Sequence, residues 1–173
     1  MEQIIKKIRQ ELDGLAKVTA SLPPTREVSL AKTSFEISKM MLGKVLSEIG
    51  AANPYPESKN PGSQTIEPTA DSITPFLLNP EHTHISHVKE IRQHADRLCN
   101  EMWDLITPSV PGTGIEKFFL FRGEAFIECQ KAMMWLGMEL GRIRDVENAT
   151  AERAKDVPQS NGPAAGEQAP PRN

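Results

Sequence analysis

The stretch REVSLAKTSFEISKMMLGKVLSEIG, residues 26–50, decides the fold class. Val28, Ala31, Phe35, Ser38, Leu42, Val45 and Ile49 recur at alternating steps of three and four without a break. Such steps keep side chains on one face of an α-helix, whereas a strand would alternate every second residue. Thr25 stands where an N-cap oxygen is needed and Gly50 where a left-handed glycine ends a helix. One apolar stripe on an isolated helix stays in water, so this helix needs partners.

The flanking sequence supplies them. On the N-terminal side Ile5, Ile8, Leu12, Leu15 and Leu22 keep the spacing, with Thr19 in the skipped place, and Pro23-Pro24 closes the segment. On the C-terminal side Val88, Ile91, Ala95, Leu98, Met102 and Leu105 repeat it up to Thr107-Pro108. A fourth helix is expected from about Ile115 to Arg144. No segment sustains period-two alternation. Short connections at 21–24 and 107–114 make each consecutive pair an antiparallel hairpin. The expected fold is all-α: two antiparallel helical hairpins in a small four-helix arrangement. Residues 1–50 form the first hairpin, 51–80 a Pro-rich extended linker holding six of the fourteen prolines, and 81–147 the second hairpin. Residues 148–173 are expected to be disordered, because Val157 is their only large apolar residue.

Composition narrows the function. A chain of 173 residues, 38% hydrophobic, is one domain's worth of sequence with part of it unpacked. A formal net charge of -3 argues against a surface for polymeric nucleic acid. Two cysteines, Cys99 and Cys129, both in helical stripes, exclude a disulfide framework or zinc ribbon. No apolar run approaches the ~18 residues of a membrane span and the N-terminus is polar, so a cytoplasmic protein without membrane contact is expected.

The two hairpins resemble each other. KIRQELDGL (7–15) aligns with EIRQHADRL (90–98) at an offset of 83, and MMLGKVLSEI (40–49) with MWLGMELGRI (134–143) at an offset of 94. Two matches in the same order, one on each arm of a hairpin, point to a duplication. By the second offset the seam of the fourth helix becomes Arg122, Ala125, Cys129, Ala132, Leu136, Glu139 and Ile143, with Arg122 and Glu139 where the first copy has Val28 and Val45. A charge in an apolar seam is costly, so the expected arrangement is a rotated fourth helix using Phe119, Phe126, Met133 and Leu140. The alternative keeps the seam and gives each charge a partner or a ligand.

Catalytic chemistry is hard to place. His82, His84, His87 and His94 cluster near the third helix with chelating spacings, but no acidic or thiol ligand completes a set, and capping or surface histidines are expected. Ser29, Ser34 and Ser38 lie on a helix rather than a nucleophile turn, and Glu124 and Glu128 read as a solvated stripe. There is no Gly-rich phosphate loop, and neither metal nor cofactor is expected. The chain reads as non-enzymatic. Arg26, Lys32, Arg92, Arg97, Lys117, Arg122 and Lys131 are cations on helices that also carry Trp103 and Trp135, the materials of a nucleotide pocket. The alternative is that the rings fill the core and the cations face water.

REVSLAKTSFEISKMMLGKVLSEIG (26–50), followed by NPYPES (53–58) and IEPTAD (66–71), resembles a helix and linker of small tailed-phage proteins. EAFIECQKAMMWLG (124–137) is similar to the corresponding helix of the same family, the Acb/Tad hairpin-domain sponges that counter the CBASS and Thoeris defences. The resemblance spans about residues 1–147. It implies a non-catalytic protein of the host cytoplasm that sequesters cyclic oligonucleotides or cyclic ADP-ribose isomers, in a homo-oligomer, commonly a hexamer, with pockets between protomers. On that reading Arg92, Arg97 and Arg122 meet phosphates, Trp135 or Tyr55 stacks on a base, and Arg26 is a further ligand-binding residue. Arg122→Met is then expected to fold and to lose messenger binding. The sequence departs from a strict repeat at Met41 against Trp135 and Ser38 against Ala132. The other function to be weighed is a structural helical-bundle module of a phage or prophage whose stripes bind a partner helix.

Overall fold

The computed structural model describes residues 1–51, 83–106 and 116–155. They form four helices and no strand: α1 (Glu2–Ser21), α2 (Arg26–Glu48), α3 (His84–Ile106) and α4 (Glu116–Lys155). The ends of α2 are set by the two residues that mark them in the sequence. Thr25, extended at φ -124 and ψ 167, accepts the Val28 N–H on its hydroxyl. Gly50, at φ 69, closes a Schellman turn in which its own N–H reaches the Ser47 carbonyl and the Ala51 N–H reaches that of Leu46. Before the two prolines Leu22 turns extended and ends α1. Thr83 opens α3 by accepting the Ser86 N–H.

Each helix packs on two others: α1 on α2, α2 on α4, α4 on α3 and α3 on α1, while the two diagonal pairs barely touch. The result is a four-cornered bundle. Its core is the 3-4 series read from the sequence, with Ile5, Ile8, Leu12 and Leu15 in α1, Phe35, Leu42 and Val45 in α2, and Val88, Leu98 and Met102 in α3 all buried. In α4 the buried positions are Arg122, Ala125, Cys129, Ala132, Leu136 and Glu139. The rotated arrangement expected for this helix is therefore corrected. Phe126, Met133 and Leu140 are only half-buried at the edge of the core, and the seam predicted by the repeat faces inward, charges included.

The repeat has a spatial counterpart. Thr25 meets Glu139 and Ser38 meets Ala125, so α2 and α4 are antiparallel. Glu11 meets His94, and Arg122 spans from Met1 to Leu105, so α1 and α3 are antiparallel too. Glu11 and His94 are equivalent positions at the offset of 83, and they pair with each other. Equivalent residues that meet lie on a two-fold axis. The hairpins are thus related as the halves of a dimer would be. Ala31, Ser34 and Ser38 on one side and Ala125, Cys129 and Ala132 on the other keep the α2–α4 seam narrow, and the Ser38 hydroxyl donates to the Ala125 carbonyl at 2.7 Å.

The expected boundary at 148 is also corrected. Helix α4 runs on to Lys155, and residues 144–155 are exposed throughout, projecting roughly 18 Å past the bundle at 1.5 Å per residue. The 51–80 linker, apart from residue 51, and the tail beyond 155 lie outside the described residues.

Candidate functional site

The two charges that break the repeat sit at opposite ends of the bundle, and each is matched to helix termini. Glu139, fully buried, accepts from the Thr25 hydroxyl at 3.0 Å, from Arg142 through two bonds of 2.8 and 2.7 Å, and lies 3.0 Å from His84 Nε2. Thr25 is the N-cap of α2 and His84 the first residue of α3, so the carboxylate faces the positive ends of two helix dipoles. Arg142 above all, then His84 and Thr25, hold its pKa at about 2 against the opposing effect of burial. Arg122 donates to the Leu105 carbonyl, at the negative end of α3, over 2.6 Å. Burial pulls its pKa down from the ordinary arginine value. Both charges thus have a structural explanation within one chain.

The arginines shared by the repeats divide differently. Arg9 is buried and its Nε donates to the Lys39 carbonyl, while Lys39 and Lys17 each reach Asp13 at 2.7 Å. In the second copy Arg92 replaces Arg9, Asp96 replaces Asp13, and Met133 stands where Lys39 does. Without the lysine the arrangement opens into a shallow groove of about 310 Å³ lined by Lys89, Arg92, Gln93, Asp96 and Met133. The Arg92 guanidinium lies over Gly137, where a Cβ would come within 3.6 Å of it.

The other candidates go elsewhere. Arg97 turns to α1, where its guanidinium lies 3.4 Å from Glu11 and 2.9 Å from the His94 ring. Five residues of helix turn by about 140° past a full revolution, which separates it from Arg92 on the same helix. Arg26 is exposed at the first turn of α2, at the opposite end from Arg122. Trp135 is half-buried against the core, and Trp103, exposed, leans on Phe126 at 5.4 Å. Tyr55, His82 and Lys117 lie outside the residues whose side chains are described. Arg92, Arg97, Arg122, Trp135 and Arg26 are therefore spread over the bundle rather than gathered into one pocket.

The histidines serve the bundle too, His84 at Glu139 and His94 at Glu11, and no cluster of ligand residues fit for a metal occurs among the described residues. His94 leads the groups that hold the Glu11 carboxyl below its usual range. Contact with Cys99 and burial push the Cys129 thiol well up, away from the nucleophilic thiolate. Lys89, Gln93, Asp96 and Met133 were not singled out from the sequence as site residues. The signal that finds them is the loss of the Lys39 equivalent at position 133. No helix among the described residues is long and apolar enough to cross a membrane. No protein-family model, curated protein or solved structure matches the chain.

Proposed function

We propose that this chain is a non-catalytic binding protein that sequesters a cyclic nucleotide messenger, the ligand class implied by the resemblance, with the α3–α4 groove as the place where the nucleotide docks. The observation that carries the reading is the groove itself. Among the described residues Arg92 is the one candidate ligand residue that lines it, and Lys89 stands beside it on the same helix face. Two cations three residues apart on one helix, with the Gln93 amide and Asp96 carboxylate for a ribose hydroxyl or a base N–H and the Met133 thioether as apolar lining, suit a nucleotide. Sequestration needs only mass action: a ligand held at a hundred times its Kd stabilises the folded chain by about 2.7 kcal/mol and withdraws itself from its effector. A thermal-shift screen of cyclic dinucleotides, cyclic trinucleotides and cyclic ADP-ribose isomers tests the reading. At least one is expected to raise the melting temperature, and Arg92→Ala is expected to abolish the shift while leaving the unliganded melt in place. A panel without any shift would count against it.

A second reading, a helical module that binds another protein, is favoured by one observation. Leu120, Ile127, Met134 and Met138 stand about half exposed in a row along the outer face of α4.

A further inference from the structure

That row carries an inference independent of the nucleotide reading. At the offset of 94 the same four positions of α2 are Arg26, Thr33, Met40 and Lys44. The two copies bury the same seam inside, yet outside the first copy is mostly polar where the second is apolar. The outer face of α4 has been given a stripe that the bundle does not use.

Gly123 and Gly141 flank this stripe. A Cβ built on either meets nothing within 4 Å, so no packing among the described residues asks for glycine there. Glycine inside a helix is less stable than alanine, because it gives up more backbone freedom on folding. Close approach of a second backbone is the ordinary reason to bear that cost. On the other flank stand Glu124 and Lys131, about one and three turns along from Leu120. Lys131 is half exposed and holds Glu128 of its own helix at 2.6 Å.

We propose that the stripe is covered by α4 of a second copy of this chain, the two helices running antiparallel about a two-fold axis at Ile127. In that register Ile127 meets its own equivalent and Leu120 meets Met134 of the partner subunit. Residues on the same flank face each other in an antiparallel pair, so Glu124 meets Lys131 of the partner subunit twice over, once in each direction. A parallel pairing would set opposite flanks together, so that Glu124 and Lys131 face the partner's uncharged flank, the side of Gly123 and Gln130, and meet no opposite charge. Gly123 lets the partner's backbone approach beside the exposed Trp103, which leans on the half-buried Phe126. A second copy supplies a self-complementary surface without any change of sequence, which is what an isologous interface requires.

The test is a charge swap read by light scattering on the full chain. Wild type at micromolar concentration is expected at twice the 19.2 kDa chain mass or a multiple of it. Glu124→Lys and Lys131→Glu, each alone, are expected to weaken association at least tenfold, and the double variant to restore it. In an otherwise unaltered chain, Ile127→Cys is expected to form an intermolecular disulfide under mild oxidation, while Ile4→Cys, equally exposed on α1, does not. A 19.2 kDa species for wild type, a double variant no better than the singles, or an equal yield from Ile4→Cys overturns the proposal. A larger assembly that survives Glu124→Lys unchanged overturns it as well.

Discussion

Glu139→Gln removes one proton-accepting charge from the most heavily bonded carboxylate of the bundle and keeps its shape. The carboxylate is fully buried among Thr25, His84 and Arg142, and its pKa stands at about 2 rather than 4.5. A carboxyl whose folded-state pKa is depressed adds stability that is fully present above the unfolded value and is lost as pH falls through the folded one. The difference corresponds to about 3 kcal/mol. Arg142, the main partner, is 44% exposed, so solvent screening reduces a realistic figure to ~2 kcal/mol. Glutamine can still accept from Thr25, but its amide hydrogens point at the donors of Arg142. Urea unfolding followed by circular dichroism at several pH values between 7 and 2 is the assay. The variant is expected to be less stable than wild type by ~2 kcal/mol at pH 7, with the gap closing between pH 4.5 and 2. Comparing the two chains separates Glu139 from Glu11 and Asp13, whose pKa values are also lowered. A gap that is absent at pH 7, or that stays constant down to pH 2, would refute the reasoning.

Three further outcomes follow from the packing. Phe35→Ala empties the centre of the α2–α4 seam and is expected to cost about 3–5 kcal/mol in the same unfolding assay, because a cavity remains where a fully buried ring was. Arg122→Met strands the Leu105 carbonyl at the end of α3 and is expected to cost about 1–3 kcal/mol while leaving any ligand-induced shift intact; loss of that shift with unchanged stability would make Arg122 a ligand residue instead. A chain ending at Glu147 is expected to keep its cooperative melt, since residues 148–155 are exposed and none belongs to the core; a broadened or vanished transition would show that the overhang supports the bundle.

Much of the fold was legible because helix period, caps and core all agree. The series from Val28 to Val45 is the buried series, and Thr25 and Gly50 set the ends they mark. The orientation of α4 was misjudged because seam charges were weighed as if each stood alone. Arg122 and Glu139 are acceptable inside because they lie at helix termini, and which termini come together is a tertiary fact that a helix pattern does not contain. The repeat did contain it, since aligning residues 134–143 with 40–49 assigns the inward face correctly. The helical overhang at 148–155 was missed because apolar content was used as the sign of order, and an exposed helical extension carries no such sign. The site was less legible than the fold. Of the candidate ligand residues that are described, Arg92 alone lines the groove, because cations close in sequence, such as Arg92 and Arg97, face different neighbours on one helix.

The central claim is sequestration without turnover, and equilibrium dialysis against the thermal-shift hit tests it most directly. Full-length protein is expected to retain the cyclic nucleotide, and heat denaturation to release it chemically intact. Arg92→Ala, dialysed in parallel, is expected to retain at least tenfold less. A wild-type protein that retains none, or a released nucleotide that has been linearised, would contradict the account.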